Sequence, residues 1–312
     1  TRSAYVARTR QEVPRGISAG GAVGGGGYAA SEPHSKEQTE WLGRIEYYGG
    51  REMWRKAEEK FQQMQEEGVQ PTLAICNSLM EAYLKGRRYV NAVGFLEDLC
   101  LGNIAGGFAD GGSAAPPPIS PDTRTFNIVL ATLASAGKWK KALDVSAPMR
   151  VAAYGGDGER NRAGGAGGRG GRGGGATAAA NRAVKEAAVE MTADGETYTH
   201  LIVACGKGGE PDRARQMFDE MRAGGIPPSP EATAALIRAL AKGGQGSTEA
   251  LRLLGDMRAA AGGPAGRGAR RGPGGQASEA AAQSAGFEGA IEACAANGEW
   301  EKAVSLLDEM RQ

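Results

Sequence analysis

Between Thr197 and Pro228 apolar and polar positions alternate with the period of a helix, break at a cluster of glycines, and resume. After the break, Ala214, Met217, Phe218 and Met221 fall at offsets 0, +3, +4 and +7, one face of an α-helix. Before it, Thr197 to Cys205 predicts a first helix, ended by Gly206, Gly208 and Gly209. Pro211 suits the first turn of the second helix, where its missing N–H has no partner to lose. The stretch therefore predicts a helical hairpin with a Gly/Pro exit loop. A hairpin of this size cannot bury its apolar face alone, so it requires neighbours of its own kind.

The same face recurs at Ala57–Met64, Ala92–Leu99, Ala142–Met149, Ala250–Met257 and Ala303–Met310. An Ala is followed seven residues later by Met in five of the six copies, in a chain with only nine Met. Trp54, Trp139 and Trp300 stand three residues before the repeat Ala, and Tyr89 takes that place in another copy. This fixed place predicts packing between helices. First-helix positions Leu42, Asn77, Asn127, Thr199 and Glu288 each precede their repeat Ala by 15 residues, and Ala234 by one more. Successive units are 35 residues apart in two cases and 50, 72 and 54 elsewhere, every excess falling in a Gly-rich stretch after a second helix. A fixed period with insertions on one side predicts an all-α solenoid of stacked hairpins. The units are residues 31–71, 72–100, 121–150, 194–228, 229–258 and 283–312.

The Gly-rich insertions at 101–120, 151–193 and 259–282 hold too few apolar residues to offset the cost of ordering them, and predict disorder. Residues 181–192 alone suit a helix there. Pro148 predicts a kink or stop in the last turn of its helix. Residues 1–30, with four Arg against one acid, predict either the tail of an organelle transit peptide or a disordered lead-in. The chain lacks an initial Met and stops two residues past Met310, which predicts a fragment of a longer array.

At this point the residues resemble the pentatricopeptide repeat family. Phe126-Asn-Ile-Val-Leu130 and Cys76-Asn-Ser-Leu-Met80 match its first helices, and Gly298 to Met310 and Ala214 to Met221 its second. The linkers Gly68-Val-Gln-Pro-Thr72, Pro121-Asp122 and Gly225-Ile-Pro-Pro-Ser229 also fit. The resemblance implies a right-handed superhelix whose first helices line a groove for single-stranded RNA, one base per repeat, read by two side chains. Carried over by position, the readers are Asn77 with Asp122, Asn127 with Asp194, and Thr199 with Ser229. The resemblance further implies uracil preference at the two Asn/Asp units. Leu42 and Ala234 lack hydrogen-bonding side chains, Glu288 is anionic, and the position that sandwiches a base, usually apolar, holds Ala74, Arg124 and Glu196. The alternative for the Asn pair is hydrogen bonding confined to the helix start.

Composition changes little in this picture. Net charge is +1, so bulk charge marks no strong basic patch. Four Cys without a C-x-x-C predict neither a disulfide framework nor a zinc site; Cys205 and Cys294 occupy apolar first-helix positions. His34 and His200 are the only histidines, and no P-loop or paired-His motif is present, so no catalysis and no cofactor are expected. No apolar run reaches the ~18 residues of a membrane span. The Arg/Gly run at 164–175 reads as a linker or a weak nucleic-acid contact, and Lys138, Lys140 and Lys141 as a solvated face. Two functions remain: a non-catalytic RNA-binding array acting in a mitochondrion or chloroplast, as the family implies, or a protein-binding scaffold. The repeat part of a longer RNA-processing enzyme is a third possibility. Oligomeric state is left open.

Overall fold

The computed structural model describes residues 35–104, 119–154, 175–189, 191–243, 247–262 and 273–311. All of them belong to one compact unit, Pro33–Gln312. The predicted lead at 1–30 and most of the Gly-rich runs lie outside the described residues. The first hairpin is α1 (Lys36–Gly50) with α2 (Trp54–Glu66), and the second is α3 (Leu73–Lys85) with α4 (Tyr89–Cys100). α5 (Thr123–Ser135) and α6 (Trp139–Tyr154) form the third, followed by an inserted helix, α7 (Gly175–Val189). Then come α8 (Gly195–Lys207) with α9 (Pro211–Ala223), α10 (Pro230–Lys242) with α11 (Ser247–Gly262), and α12 (Pro273–Ala296) with α13 (Trp300–Arg311).

The first helices stack in the order α1, α3, α5, α8, α10, α12, and each second helix before α13 packs on its own first helix and on the next one. The Ala/Met face lies in that joint. Ala57 and Met64, Ala92 and Leu99, Ala142 and Met149, Ala214 and Met221, and Ala250 and Met257 are all buried. The joint also explains the aromatic residues. Trp54, Tyr89, Trp139 and Trp300 open their helices. Trp54 lies over Gly86 at the end of α3, where a Cβ would sit 2.6 Å from its ring. Trp139 lies over Gly208 in the same way, and Pro211 over Gly243. Gly208→Leu is therefore expected to displace Trp139 and to cost about 2–3 kcal/mol in a denaturant melt.

Gly206 departs from the sequence reading. α8 runs on to Lys207 and is capped by Gly208. Gly206 is buried where α8 crosses α10, and a Cβ there would stand 2.9 Å from the Ala239 Cβ. Close approach, not helix termination, is what requires glycine at this point. The turn belongs to Gly209, at φ +77°, with the Glu210 N–H donating back to Cys205 O across the helix end.

The insertions are more ordered than their glycine content predicts. α7 occupies residues assigned to a disordered stretch, and it packs between α4 and α6 through Ala180, Val184 and Ala188, one every turn. Three small apolar residues at that spacing give a narrow buried stripe that averaging over a Gly-rich run conceals. The chain then returns to the array with the Ala193 N–H donating to Met149 O. Across the same joint, buried Arg150 in α6 donates to Glu220 in α9 at 2.9 Å. α6 also continues past Pro148 instead of stopping there. α12 begins ten residues before the predicted start of its unit at 283. Val184→Asp should undock α7 alone. Amides of residues 178–189 should then exchange rapidly while those of α8 to α11 keep their protection. Deleting residues 156–174, which leaves α7 in place, should shift the melt by less than about 1 kcal/mol.

Candidate nucleic-acid interface

The first helices α3, α5, α8 and α10 are buried on most of their circumference and open along one stripe. In α8 the stripe is Glu196, Thr199, His200, Val203 and Lys207; in α10 its wider end is Arg238 and Lys242. In α3 Glu81 and Lys85, and in α5 Arg124, Ala131 and Ser135, lie on the same line. Side chains four apart stay on one helix face, so stacking the first helices sets these stripes side by side.

The three pairs that the resemblance assigns as base readers lie at the edge of this surface. Asp122, Asp194 and Ser229 are the N-caps of α5, α8 and α10, each accepting a backbone N–H from the residue three further on. Each cap also faces the first helix of the preceding unit. Asn127 Nδ2 donates to both Asp194 carboxylate oxygens, at 3.2 and 3.3 Å, across 67 residues of sequence. Asn127 Oδ1 accepts from the Thr197 hydroxyl at 2.7 Å. Thr199 Oγ1 donates to Gly195 O at 2.7 Å and lies 3.4 Å from Ser229 Oγ. Asn77 Oδ1 stands 2.9 Å from the Thr125 hydroxyl, beside Asp122, and among the described residues its Nδ2 donates to no protein acceptor. The insertion between Asn127 and Asp194 thus leaves those two in direct hydrogen-bond contact, whereas Asn77 and Asp122 are linked through the Thr125 hydroxyl.

The bonds of Asn77 and Asn127 run between units, not within one helix start. They also bury the amides: Asn77 is 6 % exposed and Asn127 2 %. Thr125 and Thr197 complete the network, although the repeat pattern does not mark them. Their signal is an Asp followed three residues later by Thr, a reciprocal cap in which the Thr hydroxyl accepts the Asp N–H.

Of the three positions that the resemblance assigns to base sandwiching, Arg124 and Glu196 carry charge, and that charge is paired. Arg124 donates to Glu81 at 2.8 Å. Glu196 lies 3.7 Å from His200 and 3.4 Å from Asn127 Nδ2. Hydrogen bonding to His200 chiefly holds the Glu196 carboxyl below its ordinary range, against the effect of burial, with Asn127 and Arg124 adding to it. The other end of the stripe is unbalanced. Burial first, and then Arg87, Arg238 and Lys242, lower the Lys207 pKa. Among the described residues no ion pair neutralises Lys207, Arg238 or Lys242. A net charge of +1 therefore conceals a local cationic cluster, which bulk composition does not reveal.

Lys138 lies over the Tyr89 ring at 5.4 Å and Lys140 over Trp139 at 5.2 Å, so these lysines cover aromatic faces as well as meeting solvent. The cysteines are buried or half-buried. Burial pushes the Cys76 thiol up to about 12 and those of Cys100 and Cys205 up to about 11, which keeps all three protonated at neutral pH. No group of His, Cys, Asp and Glu among the described residues is arranged to hold a metal ion. No helix among them is long and apolar enough to cross a membrane.

Comparison with known proteins gives a family match in two places. The model described as "PPR repeat" matches residues 196–226 and 290–312, that is, units four and six. Curated protein sequences give no match. Among solved structures, the chain is similar to the pentatricopeptide repeat protein PPR10 in complex with an 18-nt psaJ RNA element, at 19 % identity and TM-score 0.34. It is also similar to PPR10 from maize, at 19 % identity and TM-score 0.32. These alignments cover 88 % of this chain and 38 % and 39 % of the two others, so the chain spans about two fifths of their length.

Proposed function

The chain is a pentatricopeptide repeat protein, and from that premise we propose that the open stripe of its first helices binds single-stranded RNA. The observation that carries the reading is the meeting of Asn127 with Asp194 across the insertion at 151–193, and of Thr199 with Ser229. A short amide or hydroxyl held by its partner at the groove edge presents a fixed donor or acceptor to a base's Watson–Crick edge. Asn77, whose Nδ2 has no protein acceptor among the described residues, is the reader that would bond a base without first giving up a protein partner. The cluster of Lys207, Arg238 and Lys242 then supplies the attraction for phosphate that no base reader provides.

The role is binding, not catalysis, and the family premise puts it in organellar RNA processing, stability or translation. Localisation of the tagged gene product to a mitochondrion or chloroplast would support that setting, and a purely cytosolic distribution would oppose it. Binding itself is tested by anisotropy with a uracil-rich single-stranded RNA and the same sequence as duplex, across a salt series. The single strand should bind and the duplex should not. Lys207→Glu with Lys242→Glu should weaken binding and flatten the log–log salt slope by about 0.7 for each phosphate no longer neutralised. Equal binding of duplex and single strand, or an unchanged slope, would reject this stripe as the RNA path. No binding at any salt would favour the protein scaffold.

A further inference from the structure

The two Asn/Asp pairs share one local design and differ by a single side chain. In each, an aspartate caps the next first helix and a threonine completes the cap three residues later. The residue just before that threonine stands on the open stripe. It is Arg124 beside Asn77 and Glu196 beside Asn127. Arginine carries only donors, and Arg124 donates to Glu81 in α3 at 2.8 Å. An ionised glutamate carries only acceptors, and Glu196 Oε2 lies 3.4 Å from Asn127 Nδ2.

The consequence is read at the two amides. Asn77 Nδ2 has no protein acceptor among the described residues. Asn127 Nδ2 faces three carboxylate oxygens, two from Asp194 at 3.2 and 3.3 Å and one from Glu196. An amide nitrogen has two hydrogens, so the two carboxylates between them engage both. They also fix the amide's orientation, since turning it over would set Oδ1 against the same three oxygens. Glu196 is steadied in this position by His200, one turn further along α8, which lies 3.7 Å from its other oxygen. Hydrogen bonding to His200 chiefly holds the Glu196 carboxyl below its ordinary range, so it remains a pure acceptor at neutral pH. Its side chain is still 56 % exposed, which leaves it room to give way to a ligand.

We infer, on the reading that this stripe binds single-stranded RNA, that Glu196 is a specificity-determining residue. Its carboxylate occupies the donor of Asn127 that a base's carbonyl oxygen would take, and so weakens base reading by unit three relative to unit two. A base that approaches with an acceptor edge must displace Glu196 before it bonds Asn127, whereas Asn77 offers its donor without that exchange. The two Asn/Asp units, alike in sequence, are therefore unequal readers.

The test uses the full chain and a short single strand of adenosines carrying two adjacent uridines, each uridine replaced in turn by an abasic nucleotide. In the parent the two replacements should weaken binding unequally, by a ratio of about threefold or more. Glu196→Val, which keeps the Asp194 cap, should raise the smaller loss to the level of the larger. Glu196→Gln removes the charge but keeps an acceptor oxygen, so it should tighten binding of every strand alike and leave the inequality in place. Adding Asn127→Ala to Glu196→Val should restore the inequality, because the gain passes through that amide. Equal losses in the parent would overturn the inference, and so would an inequality that Glu196→Val leaves unchanged. Identical behaviour of the Gln and Val variants would also overturn it, because Glu196 would then act through its charge and not by holding the amide. Failure of the unmodified strand to bind would reject RNA binding by the stripe itself, whereas binding with equal losses rejects only the role of Glu196.

Discussion

Met221→Asp should cost about 3–5 kcal/mol and remove most of the cooperative transition in a urea melt. Met221 is fully buried in the joint between α9 and α10, its methyl end beside Gly195. A carboxylate there either remains charged in an apolar site or takes up a proton at a cost of the same order. Stability in a stacked array is a sum of unit and nearest-neighbour terms, so the damage should centre on units four and five. Hydrogen exchange should show α9 to α11 losing protection before α3 to α5. A melt unchanged within about 0.5 kcal/mol would show that the Ala/Met face is not what holds the stack.

Asp194→Ala is the second large effect, expected at about 2–3 kcal/mol. Its carboxylate caps α8 by accepting the Thr197 N–H at 2.8 Å, a bond worth about 1 kcal/mol in typical caps. It also accepts from the nearly buried Asn127 amide, and leaving that donor poorly partnered costs about 1–2 kcal/mol more. Asp194→Asn retains a capping oxygen and should recover about half the loss. If both variants melted like the parent, the cap and the joint would be held by other groups. The result also bears on function, because the proposed reader position is a structural link between units. Changing Asn127 is expected to lower stability by about 1 kcal/mol, an effect that its place on the groove side does not suggest from sequence.

The hairpins are legible in the sequence because their signal is periodic and local. Ala214 to Met221 shows the buried face directly, and the positions of Trp54, Trp139 and Trp300 show that a joint is being made. The pairing of Asn127 with Asp194 is legible only through family resemblance, since 67 residues and a Gly-rich run separate them. Gly206 misleads because a glycine beside a turn looks like a terminator. Only Ala239, brought close by tertiary packing, shows why it is there. α7 is half-visible: the segment 181–192 has helical composition, but its buried stripe of Ala180, Val184 and Ala188 is too weakly apolar to stand out. The cationic cluster is hidden for a different reason. Lys207, Arg238 and Lys242 lie in two helices and meet only when α8 and α10 stack, while summed charge weighs them against acids elsewhere in the chain.

The most direct measurement is a selection from random single-stranded RNA at one fixed salt concentration. It compares the parent chain with a chain carrying Asn77→Thr and Asn127→Thr, both confirmed folded at the selection temperature. Asp122 and Asp194 are kept, so both helix caps and both second readers stay in place. The parent should enrich uracil at two adjacent positions, and the double variant should move those positions towards guanine while leaving flanking positions unchanged. Identical base profiles from the two proteins would contradict base reading by Asn77 and Asn127, and no enrichment from either would contradict RNA recognition by this array.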